Sequence, residues 1–114
     1  MKNYGVKPDY DWAFRTFGGN NVSKNFYAHT QIIYNNGNLD PWASGGVKEF
    51  INVNTPYYMI RGGAHHLDLR MPNPADAQTD VVWVREQSSS IIKRWIIDYQ
   101  TNHHYFEPSP TLIQ

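Results

Sequence analysis

The chain predicts an α/β fold built on parallel strands, and three observations carry that prediction. Two short β-type runs, Gln31–Tyr34 (QIIY) and Tyr57–Ile60 (YYMI), each end in turn residues, Asn35-Asn36-Gly37 and Gly62-Gly63. The stretch between them is long enough for a crossover, which parallel strands require. Over residues 76–99, Val81, Val84, Ile91, Ile92, Trp95, Ile96 and Tyr99 recur at helical intervals and place an apolar stripe on one face.

Residues 1–28 mix aromatics with Gly, Pro and Asn and read mainly as loop with short helix, with a turn at Phe17-Gly18-Gly19. Asn21-Val22-Ser23 is an N-glycosylation sequon, with meaning only in a secreted protein. QIIY reads as a buried strand and the following NNG as its closing turn. Val47–Val53 fits a short helix or an irregular crossover. YYMI is the second strand, followed by a glycine loop. The helix is expected to start at Asp76 as N-cap, with Asp80 adding negative charge near the positive end of the dipole. Ser88, Ser89 and Ser90 weaken its middle. The tail from Thr101, with His103, His104 and two prolines, is expected to be extended and exposed.

With 114 residues the chain makes one small domain at most. Two parallel strands and one helix make a poor domain, because parallel strands need cover on both faces and neighbours on both edges. The whole of residues 1–114 therefore reads as the last part of a larger sheet. Ten basic residues balance ten acidic ones, which excludes a basic nucleic-acid footprint and a polybasic membrane patch. No apolar run approaches a membrane span. The absence of Cys excludes disulfides and thiolate metal sites. The start, MKNYGVKPDYDWAF, lacks an apolar core, so no secretory signal is expected within this chain.

The chemistry lies in two loops. Asp40 follows the first strand in NNGNLDPWASGG, and His65-His66 follow the second in RGGAHHLDLR. In open parallel sheets, reactive groups sit beyond the carboxyl ends of the strands. If the strands are neighbours, the carboxylate and an imidazole meet there, and an Asp that orients a His forms the base half of a nucleophile–base–acid triad. The spacing by itself is weak evidence, and on that ground alone the commoner arrangement is Asp40 capping an Asp-Pro turn and His65 serving as an ordinary loop residue.

The residues themselves go further. NGNLDPW followed by small residues, then GAHHLDLR, then a helix ending in KRWIIDY, resembles the serine exopeptidase family of lysosomal Pro-X carboxypeptidase and dipeptidyl peptidase II. Tyr4-Gly5-Val6, Trp12 and Phe17-Gly18-Gly19 match the same family upstream, so the resemblance runs from about Tyr4 to Tyr99. It implies the C-terminal part of an α/β-hydrolase fold, comprising its last two parallel strands and C-terminal helix. It also implies peptide-bond hydrolysis beside proline by a Ser-Asp-His triad, with Asp40 as the acid and His65 as the base. The nucleophile elbow G-x-S-x-G is absent from this sequence, and none of its serines lies on a strand-to-helix elbow. The resemblance thus implies a chain with two members of a triad, inactive alone, whose partner is the N-terminal part of the same enzyme. The substrate it implies is a peptide with proline near the scissile bond. The implied compartment is the lysosome or the exterior, and homodimerisation stays open.

Around this pair, Trp42 either lines the pocket for a substrate proline or anchors its loop in the core. His66 is a neighbour of the base or a spacer. Asp68 and Arg70 pair with each other, bind the loop backbone, or stay solvated. His65, His66 and Asp68 lack the spacing of a metal site, so neither metal nor cofactor is expected. Gly45-Gly46 and Gly62-Gly63 do not fit a phosphate loop; they let backbone pass close to the reactive groups. The alternative reading is a catalytically inactive fragment that acts as an interaction module through its uncovered sheet edge and helix face.

Overall fold

The computed structural model describes residues 4–103. Two short helices open the chain, α1 (Trp12–Thr16) and α2 (Val22–Asn25), joined by a 3-10 turn over Gly19–Asn21. Strand β1 (Tyr34–Gly37) and strand β2 (Tyr57–Ile60) form a two-stranded parallel sheet. The long helix α3 (Val81–His103) follows β2. No helix among the described residues is long and apolar enough to cross a membrane.

The strands pair in the register Tyr34–Tyr57, Asn35–Tyr58, Asn36–Met59 and Gly37–Ile60. The second strand matches its sequence reading residue for residue. The first lies three residues later than the run QIIY. Gln31 has a φ of 58°, which breaks the extended chain there. The supposed turn NNG is strand because its side chains find tertiary partners. Asn35 Nδ2 donates to Asp68 Oδ2 at 2.9 Å, and Asn36 Nδ2 donates to the Val47 carbonyl at 2.7 Å. The reversal comes at Asn38-Leu39 instead, where Asp40 N–H donates to the Gly37 carbonyl at 3.1 Å. Between the strands, residues 47–52 run irregularly.

The helix also starts later than its pattern predicts. Asp76 is not its N-cap. Pro74–Gln78 form a separate 3-10 turn capped by Asn73, and Thr79 is extended, with ψ 171°. Asn73 and Asp76 make a reciprocal capping box in that turn. Helix α3 begins beyond it and runs to His103 rather than ending at Tyr99; the rest of the expected extended tail, from His104, lies outside the described residues. Asp80, just before the first turn, accepts from Arg61 Nε at 2.7 Å and ties the helix start to the end of β2.

The core sits where β2 meets the start of α3. Ile60, Val81 and Val84 are all but fully buried, with Tyr58 and Leu67 packed against them. Each fully buried side chain of this kind contributes about 1.5–3 kcal/mol. Only the first two turns of the stripe are used in this way. Ile92, Ile96 and Tyr99 remain exposed.

Candidate active site

The acid loop and the histidine loop leave adjacent strands at the same end and are stitched together through backbone. Asn38 N–H donates to the Ile60 carbonyl at 3.1 Å, and Leu39 N–H to the Gly63 carbonyl at 2.9 Å. Gly62 N–H donates to Asn38 Oδ1 at 2.8 Å. At Gly37 the loops approach so closely that a Cβ would stand 2.4 Å from the Gly63 carbonyl oxygen. No side chain fits there.

This stitching sets Asp40 against His65, with Asp40 Oδ2 2.9 Å from His65 Nδ1. The other carboxylate oxygen, Oδ1, accepts the Trp42 N–H at 2.9 Å, because Asp40 caps the 3-10 turn Pro41–Gly45. Asp40 thus caps its turn and meets His65 at once, the two placements that the sequence offered as alternatives. The Asp40 side chain is 10% exposed, while the His65 ring is 55% exposed. The hydrogen bond from His65 holds the Asp40 carboxyl below its usual range, helped by the Trp42 N–H and the nearby His65 and His66 rings, against partial burial. An ionised Asp40 at Nδ1 favours the tautomer that leaves Nε2 as the proton-accepting nitrogen.

The other predicted positions fall as follows. Trp42 is 75% exposed, so it is no core anchor. His66 stacks obliquely on His65, with ring centres 4.4 Å apart, from a backbone φ of 42°. Asp68 and Arg70 do not pair with each other. Asp68 takes the amide of Asn35, and Arg70 pairs with the Asp76 carboxylate and donates to the Met71 carbonyl at 2.9 Å. The two side chains are thus drawn to different elements, β1 and the 3-10 turn before α3. Asn21 is exposed, and its Oδ1 caps α2 by accepting the Lys24 N–H at 3.0 Å.

Arg85 escaped the sequence reading, and Asp76 was read there only as a helix cap. Arg85, from α3, donates through Nε to the Asp68 carbonyl at 3.0 Å. Its Nη2 donates to the carbonyls of Leu67 at 2.8 Å and Arg70 at 2.9 Å, and its Nη1 donates to Asp76 Oδ2 at 2.7 Å. Asp76 itself is 2% exposed. Burial works against its ionisation, but hydrogen bonds from Arg85, the Asn73 N–H and Arg70 prevail and keep its carboxyl below the usual range. A signal for Arg85 was present: it falls in phase with Val81 and Val84, so a cation stands in the buried stripe.

A cleft of about 920 Å³ opens beside the pair, bounded by Ile33 and Asn35, by Asp40 and His65, and by Ser88 and Trp95 of α3. Asn35 Oδ1 and Ser88 Oγ, both on its wall, are buried with no hydrogen-bond partner among the described residues. Ser44 lies in the acid loop and donates to the Pro41 carbonyl at 3.2 Å.

Comparison with known proteins gives a consistent result. The family model for serine carboxypeptidase S28 matches residues 3–87. The lysosomal Pro-X carboxypeptidase of Bos taurus is 41% identical over 99 residues, covering 87% of this chain and 19% of that protein. Its namesake in Homo sapiens is 39% identical over 99 residues, again 87% of this chain and 19% of the relative. Prolyl carboxy peptidase like protein 5 of Caenorhabditis elegans is 35% identical over 75 residues, 64% of this chain and 15% of that protein. The chain spans about a fifth of the length of the mammalian relatives. With most of its length matched by the family model and these identities alongside, the chain belongs to the serine carboxypeptidase S28 family.

Proposed function

We propose that residues 1–114 form the acid- and base-bearing part of an α/β-hydrolase domain in a proline-directed serine exopeptidase. The observation that carries this reading is the 2.9 Å contact between Asp40 Oδ2 and His65 Nδ1 at the carboxyl ends of adjacent parallel strands. No serine of this sequence sits in a G-x-S-x-G elbow, so the nucleophile comes from polypeptide outside it.

In the reaction, the serine hydroxyl attacks the peptide carbonyl while His65 Nε2 takes its proton. Asp40 holds the ring and stabilises the resulting imidazolium. The tetrahedral intermediate collapses as His65 returns the proton to the departing amine. Water then attacks the acyl-enzyme with His65 again as base, which releases the acid and restores the serine. The names of the mammalian relatives favour carboxypeptidase action beside proline in the lysosome. The exposed indole of Trp42, next to Pro41, offers a flat face on which a substrate proline packs. Asn21, exposed within its sequon, is the position for a glycan in a protein that traverses the secretory route.

The test is a mass and a label. An antibody to the Asn35–Gly46 loop is applied to native material treated with a serine-reactive fluorophosphonate. The expected result is a labelled band much heavier than 114 residues. An unlabelled band at the mass of 114 residues would overturn the reading in favour of an interaction module.

A further inference from the structure

We propose that Arg85 is the positioning residue for His65, tying the backbone of the histidine loop from α3 so that the imidazole stays against Asp40. The proposal rests on the reading of Asp40 and His65 as the acid–base pair. Within the loop, turn hydrogen bonds run from Leu67 N–H to the Ala64 carbonyl at 3.4 Å and from Leu69 N–H to the His66 carbonyl at 3.0 Å, but no regular element of its own supports it. Residues 61–70 contain no helix or strand, and His66 occupies the left-handed region at φ 42°, which a residue with a Cβ seldom adopts. The His65 ring is half exposed, with the tilted His66 ring beside it, and its hydrogen-bonding side-chain partner is Asp40.

The restraint lies immediately downstream. The carbonyls of Leu67, Asp68 and Arg70 all converge on the Arg85 guanidinium, at 2.8, 3.0 and 2.9 Å. Arg85 is itself anchored twice. Its neighbour Val84 and nearby Val81 are fully buried in the core, and Asp76 Oδ2 accepts from Nη1 at 2.7 Å. Four acceptors in different directions match a planar fork with five donors. An ammonium with three donors cannot reach them together, so lysine is not a conservative replacement. Loss of the fork frees three carbonyls and lets the His65 backbone drift. A drift of about 1 Å at a reacting group costs roughly 10²-fold in rate.

The experiment uses the whole polypeptide that carries the nucleophile and compares Arg85→Ala, Arg85→Lys and His65→Ala. For Arg85→Ala the expected result is a fall in kcat of about 10²-fold with KM little changed. Added guanidinium ion should partly restore it, and should not restore His65→Ala. The low-field proton resonance of the His65 Nδ1–H to Asp40 hydrogen bond should weaken in Arg85→Ala. Retention of kcat and of that resonance, with only the thermal midpoint lowered, would overturn the proposal. If Arg85→Ala does not fold, folded Arg85→Lys decides, and wild-type kcat there overturns it. Unchanged turnover in His65→Ala would instead remove the base assignment, and the proposal with it.

Discussion

The acid loop and the histidine loop leave neighbouring strands side by side, yet the Asp40 carboxylate is capped within its own segment, whereas the histidine loop beyond His65 is tied to other elements. Asp40 sits at the start of a 3-10 turn whose first amide it caps, and Ser44 closes the same turn on the Pro41 carbonyl. The histidine loop has its carbonyls held by Arg85 of α3 and its Asp68 carboxylate held by Asn35 of β1. A carboxylate needs only a local cap to hold its direction. An exposed imidazole on an irregular loop needs a scaffold outside that loop. Changes far from these loops should therefore reach His65 more readily than Asp40.

The largest expected effects break the pair itself. In the polypeptide carrying the nucleophile, Asp40→Asn or His65→Ala should lower kcat by about 10³–10⁴-fold, measured on a proline-containing peptide. His66→Ala should cost far less, since its ring only leans on His65. A greater loss from His66→Ala than from His65→Ala would reverse the assignment of the base.

Next comes the scaffold of the histidine loop. Asp76→Asn leaves Arg70 and Arg85 without their shared counter-charge in a buried place. The Asp76 carboxyl is depressed in the folded state, so its contribution is present above the ordinary carboxylate range and is lost as pH falls through the depressed value. Wild-type stability should therefore fall on acidification, and Asp76→Asn should be less stable at neutral pH with a flatter acid dependence. Thermal midpoints measured across the acid range decide this, and parallel curves for the two proteins would contradict it.

The smallest effect sharpens the comparison at the seam between the loops. Gly37→Ala puts a methyl group against the Gly63 carbonyl and should cost about 1–3 kcal/mol of stability through overpacking. Because the clash moves the two loops apart, kcat should fall as well, which paired denaturation and kinetic measurements would register. An unaffected kcat would show that the seam is not what sets the distance between Asp40 and His65.

Much of this arrangement is legible in the order and type of the residues. The run YYMI marks its strand to the residue because its composition and its Gly62-Gly63 stop are local signals. The meeting of Asp40 and His65 follows from strand order, since parallel strands bring both carboxyl ends to one side. The motifs around Asp40 and His65 point to the family that the comparisons support.

Other features depend on partners distant in sequence. Asn35 and Asn36 look like turn residues until Asp68 and the Val47 carbonyl accept their amides, and then they stand in a strand. Asp76 looks like the cap of the long helix until Arg70 and Arg85 draw it into a turn of its own. Sequence by itself determined the order of elements, the second strand, the long helix and the loops that carry Asp40 and His65, because periodicity and turn chemistry act over a few residues. Only the tertiary structure decided the register of the first strand, the start of the helix and the hold of Arg85 on the histidine loop. In each of these a buried or half-buried polar group must find its partner wherever the fold brings one within reach.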